Sequence, residues 1–343
     1  MLHEIYQLFD EQEPFLKFKK FFHKQGFSFH KNSIPDHFLK NYEDERVEIL
    51  RNLKKKDSRN YLPLCLNNAK IFNFLQPIKI DRLLLGVYKR LEKHEGNIAL
   101  LNSFVNDARI EYTRTDVVTG RLSVIQGPKI MNLPKKYRNI LKSRFSEGEI
   151  LMVDFKSLEP RVARYISGQT AADDIYQEMC DQMTFPVDRV VMKRAVISIL
   201  YGLGEETSIG ELSQEKSRAI REKALEYFNI NYILSLAMQR DASGYHLTHF
   251  GRPIKWPSDT QLHQILNGYI QGTAVDVALS GFLNLIEQFD EEMIPLGLIH
   301  DAILVDVSQN SKNKFVKLVS NGYNFKDLGH FPLNIETISH RKI

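Results

Sequence analysis

The stretch MIPLGLIHDAILVDV, residues 293–307, consists of two apolar runs separated by His300 and Asp301. Runs of this length around two polar residues read as strand, turn, strand. Earlier in the chain, EILMVDF (149–155) is another short apolar run, and it closes on an acid, Asp154. An ionised carboxylate beside a buried strand is costly unless it is paired or binds a cation. If these strands are neighbours in one sheet, Asp154 and Asp301 meet at one end of it. Two carboxylates with few basic neighbours in sequence make a hard-oxygen site suited to Mg²⁺. Two such ions can activate an attacking hydroxyl and stabilise a leaving pyrophosphate. Taken singly, either aspartate reads more readily as a strand or turn cap. What raises the pair above that reading is the sequence between and around them.

Working outward, SLEPRVARYIS (157–167) reads as a helix with Pro160 in its first turn, where a missing N–H costs little. Residues 173–262 are mostly helical in pattern, and 262–289 continue as a helix. RIEYTRTDVVTGRLSV (109–124) mixes β-branched and aromatic residues with a Thr-Gly turn and suggests strands. The region from Ile71 to Val105 is helical in spacing, and residues 1–60 are polar with helical flavour. A strand, a long helical insert and then a hairpin argue for an α+β chain whose antiparallel or mixed sheet carries helical subdomains.

Two helical stripes bear on chemistry. Arg189, Lys193, Ile197 and Tyr201 recur every four residues, so they form one slowly winding stripe with both cations at the N-terminal end. A helix N-terminus favours an anion, so this stripe suits a triphosphate at its start and a base against Tyr201. His263, Asn267 and Gln271 form a second stripe. Asn and Gln there can donate to minor-groove acceptors, which are common to all correct base pairs. Each stripe alone also fits an ordinary polar helix face.

Composition narrows the classes. The chain has 343 residues, 43% of them apolar, and a formal charge of +4. No run of 18 or more apolar residues suggests a membrane span, and the N-terminus does not read as a secretory signal. Cys65 and Cys180 have no metal-type spacing and read as two thiols in a reducing compartment. Basic residues cluster at Lys17–Lys24 among phenylalanines, at Lys54–Lys56, and at Lys135–Arg144. Basic and aromatic residues together suit a nucleic-acid strand, through phosphate contact and base stacking.

In order along the chain, TGRLS (119–123), MNLP (131–134), DFKSLEPRVARYIS (154–167), Arg189-x3-Lys193-x7-Tyr201-Gly202, HFGR (249–252), NGYIQGTAVD (267–276) and IHDA (299–302) resemble the motifs of family A DNA polymerases. This is the bacterial DNA polymerase I type with its phage relatives. The resemblance implies a right-hand fold: an antiparallel palm sheet with helical fingers and a helical thumb. The divisions it implies are an N-terminal region and compact thumb at 1–105, palm at 106–172, fingers at 173–262 and palm again at 263–343. It implies a DNA-directed DNA polymerase that extends a primer by two-metal-ion nucleotidyl transfer, with Mg²⁺ as cofactor and Mn²⁺ as a substitute.

Carried over by position, the resemblance gives Asp154 and Asp301 as metal ligands, with the Phe155 carbonyl as a further one. Arg189 and Lys193 would hold the incoming dNTP, Lys193 being placed to protonate the leaving pyrophosphate. Ile197 and Tyr201 would flank the nascent pair, and Glu159 would close off a ribose 2′-OH. Arg121, Asn132, Arg252, Asn267, Gln271 and His300 would contact primer–template DNA. The departures are Ala302 where many members carry Glu, Ile197 where Phe or Tyr is usual, and His263 for Arg. With about a hundred residues before TGRLS, no proofreading exonuclease is expected. The expected partners are primer–template DNA and dNTPs. The chain is expected to be a cytoplasmic monomer without membrane association, of cellular, phage or mobile-element origin. The alternatives are a single-subunit RNA polymerase or primase-like enzyme, against which Glu159 argues, and a catalytically weakened DNA-binding relative.

Overall fold

The computed structural model describes residues 61–339, apart from 105–107, 115–116, 203–208, 211, 243 and 327. The early basic clusters and most of the expected thumb lie outside the described residues. In chain order, helices α1 (Tyr61–Asn68), α2 (Ile71–Phe74), α3 (Arg82–Leu91) and α4 (Glu95–Asn102) lead to the pair β1 (Glu111–Thr113) and β2 (Ser123–Gln126). Then come β3 (Glu149–Phe155), α5 (Leu158–Ile166), α6 (Ile175–Asp181), α7 (Arg189–Leu200), α8 (Gln214–Tyr227) and α9 (Ile230–Ala237). A small pair, β4 (His246–Leu247) and β5 (Pro253–Ile254), precedes the long helix α10 (Leu262–Ile286). The chain closes with β6 (Met293–Ile299), β7 (Ala302–Val307), α11 (Lys312–Ser320), β8 (Tyr323–Phe325), β9 (Gly329–Phe331) and β10 (Leu333–Ser339).

The principal sheet has the order β10-β3-β7-β6, and every neighbouring pair is antiparallel. The apolar runs that end on Asp154 and begin after Asp301 are therefore adjacent strands. Alternation along β3 sends its side chains to two different cores. Leu151, Val153 and Phe155 pack with α5, α7 and α10, whereas Ile150 packs with the layer built from Ile78, Leu101, Phe104 and Ile140. Burial on both faces explains why β3, β6 and β7 read as near-continuous apolar runs. The α10 helix is apolar nearly all round and buried along most of its length, as expected of a central helix. Among the described residues, no helix is long and apolar enough to cross a membrane.

The fourth strand, β10, has no counterpart among the strands expected from sequence. Its sequence, LNIETIS, alternates apolar and polar residues weakly, as a half-covered edge strand does.

Candidate active site

Register fixes the two aspartates. Asp154 pairs with Ala302 of β7 on one side and with Asn334 of β10 on the other. Ile299 pairs with Ala302, so His300 and Asp301 are the whole of the β6–β7 turn. His300 takes a left-handed backbone, φ +55°, which is strained for a residue with a side chain. Both turn residues are exposed, and both carboxylates lie at the same end of the sheet. Burial, and next the Asp301 carboxylate, push the Asp154 pKa above its ordinary value. Glu336 adds to that rise, and the Lys193 ammonium on α7 opposes it. The α7 lysine thus acts electrostatically on the sheet aspartate.

The strand-to-helix corner after Asp154 turns through Ser157, whose φ is +52°. That sharp turn sets Glu159 in the first turn of α5. Arg121 donates from Nη2 to Glu159 Oε1 at 2.5 Å and to the Tyr201 hydroxyl at 2.6 Å. Tyr201 in turn donates to Glu159 Oε2 at 2.8 Å. Three residues from three separate sequence motifs thereby form one closed cluster. Burial, then the neighbouring Glu159 carboxylate, push the Tyr201 phenol up to about 12, so it stays a donor at neutral pH.

Helix α7 starts at an Asp188 cap, which accepts from the Val190 and Val191 amides. Its buried face is Met192, Ala195, Val196, Ile199 and Leu200. The opposite stripe leaves Arg189 and Lys193 exposed and Ile197 half-buried. Arg189 is drawn to Asp174, Nε to Oδ2 at 2.6 Å. Both cations of the stripe also lie over the Tyr176 ring, at 5.5 Å for Arg189 and 5.9 Å for Lys193. Asp174 and Tyr176 were not among the sequence candidates. Their signal was the turn-and-cap pattern Asp-Asp-Ile-Tyr opening a helix just before the Arg-Lys stripe.

The remaining candidates are placed unequally. Asn132 is exposed at the end of a 3₁₀ turn, and Asn267 is half-buried on α10. Gln271 and Arg252 are buried. Arg252 donates to the Val118 carbonyl at 3.1 Å and presses on Gly120, where a Cβ would come within 2.5 Å of its guanidinium carbon. Gly120, at φ +72°, has the only kind of backbone that fits there. Arg252 therefore stands behind the turn that carries Arg121. The Phe155 side chain faces the core, with Phe282 at 5.0 Å between ring centroids. His263 lies against Gly202, just beyond the end of α7.

A second buried arginine holds the same turn. Arg114 pairs with Asp276 of α10 at 2.8 Å, both almost fully buried, and donates from Nε to the Gly120 carbonyl at 3.1 Å. Tyr61 donates to the same Asp276 oxygen at 2.9 Å. Asp276 is the only acidic residue of α10, and a lone acid in so apolar a helix is the signal that was missed.

Among the described residues, no three of His, Cys, Asp and Glu converge as a complete metal cage. The donor set is a carboxylate pair at an open sheet end. That set fits Mg²⁺, which keeps several waters and takes further oxygens from a phosphate substrate.

The family model of DNA polymerase family A matches residues 68–338, a span that includes every residue of this site except Tyr61. The chain belongs to DNA polymerase family A. A solved structure of the POL domain of Pol1 from M. smegmatis, in complex with DNA primer-template and dNTP, is similar to this family A chain. The TM-score is 0.56 at 21% identity, over 71% of this chain and 50% of that one. The chain thus spans half the length of that solved polymerase. The likeness is one of fold: an α+β right-hand polymerase architecture with the sheet β10-β3-β7-β6 at its centre. No curated protein matches this family A chain.

Proposed function

We propose that the chain is a DNA-directed DNA polymerase. The carrying observation is the meeting of Asp154 and Asp301 at one sheet end, within electrostatic range of Lys193 on α7. In this reading 106–172 and 263–343 are palm, 173–262 are fingers, and the thumb falls within 1–105. Primer–template DNA and dNTPs are the substrates, the same two ligands with which the similar Pol1 domain was solved in complex.

The primer 3′-oxygen attacks the α-phosphorus in line. The new P–O3′ bond forms as the bond to the β,γ-diphosphate breaks, and pyrophosphate leaves. Asp154 and Asp301, with the Phe155 carbonyl, would hold Mg²⁺, which when bound lowers the pKa of the attacking hydroxyl and neutralises charge on the phosphates. Arg189 and Lys193 bind the triphosphate, and Lys193 supplies a proton to the departing pyrophosphate. Glu159, held by Tyr201 and Arg121, walls off the position of a sugar 2′-OH. Asn132, Asn267 and His300 face the primer–template, while Arg252 and Gln271 act from behind the exposed layer.

Primer extension tests this with purified chain, Mg²⁺ and a primed template. The native chain is expected to extend with dNTPs and not with NTPs, and Asp301→Ala to extend with neither. No extension by the native chain refutes the enzyme. Preference for NTPs makes it the RNA polymerase or primase-like alternative.

A further inference from the structure

Glu336 lies on β10 opposite Met152, two residues from the pairing of Asn334 with Asp154. Strand alternation puts Glu336, Met152 and Asp154 on one face of the sheet. Diagonal neighbours of this kind lie about 7–8 Å apart at Cα, within reach of a long side chain. On the other flank of Asp154 the register brings Ala302, so β7 contributes no carboxylate beside it. Glu336 and Asp154 are thus two carboxyl side chains on one face of the sheet. Negative charge gathered on one face in this way is offset by a nearby divalent cation.

Glu336 is also held. It accepts from Lys135 Nζ at 2.8 Å, in a pair with 74% of the lysine and 46% of the glutamate side chain exposed. An ion pair this exposed contributes little to stability and is readily given up.

We propose that Glu336 is the auxiliary carboxylate of the Asp154–Asp301 cation site. It is supplied across the sheet by β10, where β7 offers Ala302, and Lys135 restrains it. The proposal rests on the polymerase reading above, which is what assigns a divalent cation to the two aspartates. Glu336 does not close a three-carboxylate cage, so it acts from outside the ligand pair, by adding negative charge to the site. Lys135 and Glu336 therefore have opposite effects on cation affinity. A pair that merely fastened β10 to the 3₁₀ turn at Lys135–Ile140 would give both residues the same effect.

The test is Mn²⁺ titration of the full chain without DNA, following free Mn²⁺ by electron paramagnetic resonance, with melting curves to verify folding. Glu336→Gln is expected to weaken binding about 10-fold, the scale of a group acting on a metal from outside its ligands. Lys135→Met is expected to tighten binding, and Asp154→Asn to abolish it. Unchanged affinity in Glu336→Gln, with binding lost in Asp154→Asn, overturns the proposal and leaves the polymerase reading standing. Equal weakening in Glu336→Gln and Lys135→Met overturns it as well. If the native chain binds no Mn²⁺, the metal assignment fails and the proposal fails with it.

Discussion

Arg189 Nε donates to Asp174 Oδ2 at 2.6 Å, joining the first residue of α7 to the cap of α6. Asp174 has two roles, because the Tyr176 and Gln177 amides donate to its other oxygen. Its pKa lies below the ordinary aspartate value: burial acts upward, but the Arg189 hydrogen bond and the Gln177 amide outweigh it. A triphosphate that takes Arg189 must compete with this carboxylate. In Asp174→Asn the cap survives and the competitor's charge is gone. The KM for dNTP is expected to fall about 2–5-fold, the scale of an exposed ion pair worth roughly 0.5–1 kcal/mol. Steady-state single-nucleotide incorporation measures it, and an unchanged or raised KM would count against competition.

The central strands were legible because burial on both faces writes β3, β6 and β7 as apolar runs, and a lone acid at the end of such a run stands out. The helices α7 and α10 were legible from their four-residue stripes. The partner of Arg189 was not, because nothing in local pattern joins residues 174 and 189, which helix α6 and a loop separate. Arg252 enters as a DNA contact only through the resemblance of HFGR, and arginines are rarely buried. Its burial depends on Gly120 and Val118, 132 and 134 positions away, which no periodicity encodes. Edge strand β10 escaped for the same reason: its partner is β3, far upstream, and its own sequence is half polar.

The raised pKa of Asp154 has a consequence for stability. The folded chain holds this proton to higher pH than the unfolded chain, whose ordinary value is 3.8. The contribution to stability is therefore present below that value and is lost as pH rises through the raised one. Asp154→Asn keeps the shape and removes the charge. In metal-free buffer it is expected to melt above the native chain at neutral pH, with no difference near pH ~3. Mg²⁺ stabilises only a chain that binds it, so its addition closes the neutral-pH gap. Calorimetry at the two pH values decides this, and a native chain that melts higher without metal would reverse the sign.

The cluster of Arg121, Glu159 and Tyr201 predicts a loss of sugar discrimination. Tyr201→Phe removes the hydroxyl that donates to Glu159 at 2.8 Å and leaves the ring. A hydrogen bond to a charged group contributes about 1.5–3 kcal/mol, so the dNTP-over-NTP preference is expected to drop roughly 10-fold or more. The phenol stays protonated until about pH 12, so native selectivity is expected to be flat with respect to this group from pH 7 to 9. Competition between dNTP and NTP on one template reads both outcomes. Undiminished preference in Tyr201→Phe would mean that Glu159 is held without it.

Arg114 and Asp276 tie the Arg121 turn to α10 through an ion pair almost wholly out of solvent. Removing one partner leaves the other charge buried without its counter-ion, which typically costs about 3–5 kcal/mol. Asp276→Ala is thus expected to be severely destabilised in urea unfolding. Replacing both partners by apolar residues removes the stranded charge, so Arg114→Met with Asp276→Leu is expected to be more stable than either single variant. Stability and positioning then separate. The double variant still lacks the Arg114 Nε donor to the Gly120 carbonyl, which helps fix the turn before Arg121. It is expected to fold yet discriminate sugars poorly, because Arg121 no longer meets Glu159 and Tyr201 in a fixed geometry. A double variant with native selectivity would show that Arg252, packed on Gly120, orders the turn alone.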